Sequence, residues 1–214
     1  MIKTKKYGAL IVVSGPSGSG KDTVCNTLVE QNSNYWISIS CTSRSPRGKE
    51  KDGINYYFLT REAFEDKIES QELLEYAEYN GNYYGTPKDI IEEKRSQGIN
   101  VILVIEVQGA LKVKELVPDA IFIFLVPPSM DILKKRLENR GTETKEKVLA
   151  RFKTAYQEIN EMPKYNYVVV NDEVENAVAK IESILTAEMC RVDRIEEVDL
   201  STTEEVLHES LMKD

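Results

Sequence analysis

Apolar and polar positions alternate along the chain in blocks that change period. Ala9-Leu10-Ile11-Val12-Val13 is a continuous apolar run of strand length, followed after a glycine-rich turn by Thr23 to Glu30, which reads as a helix. Two further runs of that kind, Val101 to Ile105 and Ile121 to Val126, are apolar throughout and mostly β-branched or aromatic, and predict buried central strands, the first ending at the acid Glu106 and the second stopped by Pro127-Pro128. Tyr167-Val168-Val169-Val170 predicts another buried strand. Between and after them, Lys88 to Gln97, a stretch through Leu116, Met130 to Asn139, Lys145 to Met162 and Val174 to Cys190 carry helical periodicity. Strand-helix alternation of this kind predicts an α/β fold, a parallel sheet covered on both faces with its ligand crevice beyond the strand ends.

The segment from Tyr35 to Pro87 breaks that rhythm. Tyr35 to Ser40 alternates as a short strand, and residues 41–48 form a polar loop holding Arg44 and Arg47. Asp52-Gly53 marks a turn before the β-prone Tyr56 to Leu59; Thr60 caps a helix to about Ser70; Leu73 to Tyr79 predicts a strand, and Gly81 to Pro87 a turn. At the far end, residues 193–214 hold eight acidic and two basic residues, so only −2 of the net charge of −8 belongs to the rest. This stretch predicts a solvated or partly ordered tail in which Val206, Leu207 and Leu211 could form a short helix. A nearly neutral body argues against a nucleic-acid surface.

No run approaches membrane-spanning length, and the five-residue apolar run behind the N-terminal lysines is too short for a signal peptide. Cys25, Cys41 and Cys190 lack metal spacing and predict free thiols in a reducing cytoplasm. His208 is the only histidine and lies in the acidic tail, so histidine triads and histidine metal sites are excluded. Chemistry falls to carboxylates, Lys, Arg and backbone.

Gly15-Pro16-Ser17-Gly18-Ser19-Gly20-Lys21 has the G-x-x-x-x-G-K spacing of a P-loop, in which backbone N–H groups between a strand and a helix cradle phosphates and the lysine neutralises the outer ones. Where a hydroxyl residue would reach magnesium there is Asp22, with Thr23 one place later. With it, Ser40-Cys41-Thr42-Ser43-Arg44-Ser45-Pro46-Arg47, Glu75, GNYYGT (81–86), IEVQGA (105–110), KKRLENRGTET (134–144) and VNDE (170–173) form an ordered series. Over residues 8 to 190 that series closely resembles the guanylate kinases.

The resemblance implies transfer of the γ-phosphoryl group of MgATP to GMP, and to dGMP, with ATP and GMP as partners and Mg2+ as cofactor. It implies a P-loop three-layer core (about 8–38, 99–135 and 160–192), an inserted mixed α+β GMP-binding lobe (39–88) and a small helical lid (136–158), within a domain spanning 1–192. By position, Ser40, Arg44, Arg47, Tyr56, Glu75, Tyr84, Thr86 and Glu106 match the GMP site. Arg44 and Arg47 can grip a phosphate dianion with forked donors, and Glu75 can accept from guanine N1–H and its amino group. Lys21, Arg44, Arg136, Arg140 and Arg151 match catalytic cations; the P-loop residues 15–23, Arg140 and Asn171 match the ATP site. The family commonly has Ser or Thr at position 22 and Asp at 104, whereas this chain has Asp22 and Val104. Asp22 is the expected magnesium-side carboxylate, in exchange for the one missing at 104; the competing reading is impairment, an uncompensated carboxylate repelling the phosphates. A guanylate-kinase-like binding module for phosphorylated peptides and a kinase for another acceptor are the alternatives. The expected assembly is a monomer or homodimer.

Overall fold

The computed structural model describes residues 2–4, 7–79, 81–138 and 145–198. Its centre is a five-stranded, all-parallel sheet in the order β10-β9-β2-β8-β3, built from β2 (Leu10–Ser14), β3 (Tyr35–Ile37), β8 (Asn100–Val104), β9 (Ile121–Val126) and β10 (Tyr167–Val170). Successive side chains of β2 point to opposite faces, which is why both its odd and its even positions are apolar. Ile11 and Val13 pack with Val24, Cys25 and Leu28 of α1 (Lys21–Gln31) and Ala177, Ile181 and Leu185 of α7 (Val174–Glu188). Leu10 and Val12 pack on the other face with Ile91 of α3 (Lys88–Ser96) and Ala110 and Val113 of α4 (Val107–Leu116). Helix, sheet, helix make the three layers.

A second sheet, in the order β5-β4-β7-β6, stands between β3 and α3 in the chain. It contains β4 (Cys41–Thr42), β5 (Tyr57–Phe58), β6 (Leu73–Tyr79) and β7 (Asn82–Pro87), with α2 (Arg61–Glu69) packing Phe64 onto Leu73 and Cys41. Thr60 caps α2, its hydroxyl accepting from Ala63 N, as the sequence predicts. Past β9, α5 (Met130–Glu138) and α6 (Lys145–Ile159) pair through Leu133, Leu137 and Ala155. A 3-10 turn, Met162–Lys164, follows.

Three expectations are corrected. The stretch 81–87 is not a turn: only Gly81, with φ 76, turns the chain, and Asn82–Pro87 is β7, antiparallel to β6. Tyr83, Tyr84 and Thr86 favour a strand, and their cross-strand partners on β6 outweigh the flanking glycines. β10 is not buried but a sheet edge, with Val168 52% and Val170 39% exposed. Finally, the start of the acidic stretch is folded. A 3-10 turn at Val192–Arg194 leads into β11 (Ile195–Val198), which pairs antiparallel with β1 (Ile2–Thr4). Val206, Leu207, His208 and Leu211 lie outside the described residues, as does Arg140. Among the described residues no helix is long and apolar enough to cross a membrane.

Candidate active site

The P-loop lies between the end of β2 and α1. Gly20, the N-cap of α1, holds φ 92, a left-handed conformation that turns its neighbours' N–H groups toward the sheet's C-terminal edge. Lys21 donates to the carbonyl of Gly15 at 2.6 Å, which draws its ammonium back across the loop. Asn171, at the end of β10 and only 3% exposed, donates its amide to the carbonyl of Ser19 at 2.8 Å. Two buried polar atoms beside the loop, Ser19 Oγ and Asn171 Oδ1, have no hydrogen-bond partner among the described residues. They leave polar capacity for a ligand.

Cations arrive from both α5 and α6. Arg136 of α5 reaches the carbonyls of Ser19 at 3.3 Å and Asn171 at 3.2 Å, and Arg151 of α6 donates to Ser17 Oγ at 2.6 Å. Seven residues further along α6, two turns and so on the same face, Glu158 accepts from the backbone N–H of Ser17 at 3.4 Å. Burial, then the charge of Glu106, raises the pKa of Glu158, and Lys21 offsets part of this. Sequence reasoning missed Glu158; its seven-residue spacing from Arg151 was the available signal. Asp22 and Thr23 are exposed on the first turn of α1, and Glu106 is exposed as the N-cap of α4. A cleft lined by Gly18, Gly20, Thr23, Arg136, Asn171 and Val174 opens beside the loop.

The second sheet holds the other cluster. Arg44, 8% exposed, lies under Tyr56 with its Cζ 5.4 Å from the ring centroid, and Tyr84 stands edge-on to Tyr56 at 6.0 Å. Glu50 and, to a lesser degree, Tyr84 draw the Arg44 pKa up. Arg47 is exposed on the loop beyond, and Ser40 is half-buried before β4.

Glu75 and Thr86 face each other across β6 and β7, and Thr86 donates its hydroxyl to Glu75 Oε1 at 2.7 Å. Glu75 is 9% exposed, and burial raises its pKa against smaller opposing effects of Thr86 and Lys112. A buried carboxylate costs free energy unless donors meet it; Thr86 meets Oε1, and Oε2 is the second oxygen.

That oxygen is held against α4. A Cβ added to Gly109 would stand 2.8 Å from Glu75 Oε2 and 3.3 Å from its Cδ. Sequence reasoning quoted Gly109 without giving it a role. Alanine is the better helix former by about 1 kcal/mol, so a Gly109→Ala variant is expected to fold normally while pushing the Glu75 carboxylate aside. A ligand whose N–H groups Glu75 accepts should then bind about tenfold more weakly, the loss of roughly one charge-assisted hydrogen bond, with binding at the P-loop unchanged. Unaltered affinity for such a ligand would refute this arrangement.

A P-loop with converging cations thus shares the fold with a sheet that carries an arginine, two tyrosines and a buried acid. The family model described as guanylate kinase matches residues 7–188. A guanylate kinase of Clostridium perfringens is 56% identical over 210 residues, spanning 98% of this chain and 97% of that protein. One of Caldanaerobacter subterraneus is 50% identical over 201 residues, 94% of this chain and 98% of that protein. The crystal structure of the guanylate kinase of Anaplasma phagocytophilum superimposes with a TM-score of 0.74 at 36% identity, covering 90% of this chain and 92% of that one. Family match, near full-length relatives and shared fold agree with these two clusters: the chain belongs to the guanylate kinase family.

Proposed function

We propose that the chain transfers the γ-phosphoryl group of ATP to GMP, giving ADP and GDP, and accepts dGMP as well. The observation that carries this is the buried Glu75 carboxylate with its Thr86 partner, opposite a P-loop. Guanine offers N1–H and an exocyclic amino group side by side, which a carboxylate accepts together; adenine offers no such pair.

The roles we propose combine the placements described with the family's pattern. The amides of residues 15–20 cradle the ATP phosphates, and Lys21 leaves the Gly15 carbonyl for the outer ones. Arg136 and Arg151, with Arg140, spread positive charge over the oxygens that share charge as the phosphoryl group crosses. Asn171 and the cleft beside Gly18 and Thr23 take the donor's base and sugar. Arg44, Arg47, Tyr56 and Tyr84 hold the acceptor phosphate, with Ser40 beside them and Glu106, the N-cap of α4, completing the GMP site. The lobe spans 39–88, and the lid, 136–158, closes over the donor to exclude water. A chain keeping Lys21, Arg136 and Arg151 at the P-loop is equipped for transfer rather than for peptide binding alone.

Magnesium fits this donor set. Among the described residues no three His, Cys, Asp or Glu side chains gather as a metal cage, and Asp22 on the first turn of α1 faces solvent, which suits an ion that keeps waters and binds mainly through phosphates. Held with Asp22, it would neutralise phosphate charge. Asp22 stands in for the acid replaced by Val104. On this reading an Asp22→Ser variant turns over more slowly and needs about threefold or more magnesium for half-maximal rate. A variant that needs no more metal and works faster would end that reading.

The setting we propose is a cytoplasmic, magnesium-dependent enzyme of purine nucleotide metabolism that contacts neither nucleic acid nor membrane, as a monomer or homodimer. A coupled assay of ADP release with GMP, dGMP, AMP and UMP as acceptors tests the whole: GMP and dGMP should be phosphorylated and UMP left alone. Equal rates on AMP and GMP would overturn it.

A further inference from the structure

Arg44 is the one arginine of the acceptor lobe that is both buried and ringed by tyrosines, and an acid six residues on holds it. Glu50 accepts from Arg44 Nη1 at 2.9 Å and from Nη2 at 3.0 Å, a forked pair, and its Oε2 also accepts from the backbone N–H of Arg47 at 2.7 Å. Nη1 donates its second hydrogen to the carbonyl of Ser45 at 2.7 Å, and Glu50 N donates to the carbonyl of Arg47 at 3.0 Å. One carboxylate thus ties together both arginines of the loop.

A guanidinium has five N–H donors in one plane. Glu50 and Ser45 take both hydrogens of Nη1 and one of Nη2. What they leave is Nε–H and the outer hydrogen of Nη2, which are parallel and form the second fork of the same group. The rings of Tyr56 and Phe58, 5.4 and 5.8 Å from Cζ, limit tilting of that plane.

We propose that Glu50 is a positioning residue for the acceptor phosphate: it grips the end of Arg44 so that the Nε side of the guanidinium meets the phosphate. This rests on the reading that the lobe takes GMP. The fork to Glu50 draws the Arg44 pKa up and the Glu50 carboxyl pKa down, in keeping with a tight pair. Two effects of Glu50 on the phosphate oppose each other. Its charge repels the dianion through solvent that screens well, while its grip sets the direction of a short-range, charge-assisted pair. The proposal holds that direction outweighs repulsion.

Glu50→Gln, Glu50→Ala and Glu50→Asp decide it, with Glu72→Gln, which removes the exposed partner of Lys67 elsewhere in the lobe, as a control. Each is assayed for kcat, KM for GMP, KM for ATP and melting temperature. The expected result for Gln and Ala is a KM for GMP raised about tenfold, the value of one oriented charge-assisted pair. KM for ATP and the melting temperature should stay near wild type, and Asp, which keeps the charge, should recover part of the loss. An unchanged KM for GMP overturns the proposal. So does a lowered one, which would make Glu50 a competitor for Arg44. A joint rise of both KM values with a fall in melting temperature also overturns it, making Glu50 a residue of stability alone. A wild-type chain inert toward GMP would instead sink the function proposed above, and this inference with it, so the two failures are told apart by the first assay.

Discussion

A Glu75→Gln variant is expected to fold at least as stably as wild type at neutral pH while its kcat/KM for GMP falls about a hundredfold to a thousandfold, as when a site built around a hydrogen-bonding partner loses it. The amide is nearly isosteric and keeps an oxygen for Thr86. What it loses is the second acceptor, where an NH2 group would now meet guanine's donors head-on. The stability half follows from burial. Desolvation raises the folded-state pKa of Glu75 above its unfolded value, so its ionised form destabilises the fold. Stability from this group is fully present below the unfolded value and is lost as pH rises through the folded one. Glutamine does not titrate, so the melting-temperature difference, variant minus wild type, should increase from about pH 4 toward neutrality. Thermal melts across pH, set beside GMP and AMP kinetics, check both halves. A variant that keeps the preference for GMP would remove Glu75 from recognition.

The second large effect is expected at Lys21. A Lys21→Met variant should lose about a thousandfold in kcat, the scale on which preorganised cations act at a transferring phosphoryl group. KM for GMP should move little, because the acceptor lobe is untouched. Lys21 is partly exposed at the first position of α1, and its ammonium is tied to a carbonyl rather than to an acid. Methionine keeps the alkyl stem and suits a helix, so stability should change by less than about 0.5 kcal/mol. Steady-state rates at saturating ATP and GMP, with a thermal melt as control, check it. A loss smaller than tenfold would mean that the arginines alone carry the charge.

Much of this was legible in the sequence, for identifiable reasons. The runs at 9–13, 101–105 and 121–126 became strands because a sheet covered on both faces leaves no polar positions to blur the pattern. Glu75 was legible only through its place in an ordered series; by itself a strand acid reads as solvent-facing. What escaped depends on long-range partners. β7 is spelled with turn residues and exists because β6 pairs with it. β11 is acidic and is a strand because β1, some 190 residues earlier, lies beside it. Glu50 sits in a run of charges where nothing local distinguishes a solvated acid from one clasping Arg44.

The buried Glu75 carboxylate is mounted on the second sheet, yet its backstop, the bare backbone of α4 at Gly109, belongs to a helix packed on the central one. Under the proposed function, selectivity is a property of the seam between the two sheets. Loosening the packing of α4 on β6 should show first as a wider choice of acceptors and only later as a slower enzyme. Promiscuity, rather than failure, would be the early sign of wear in this fold.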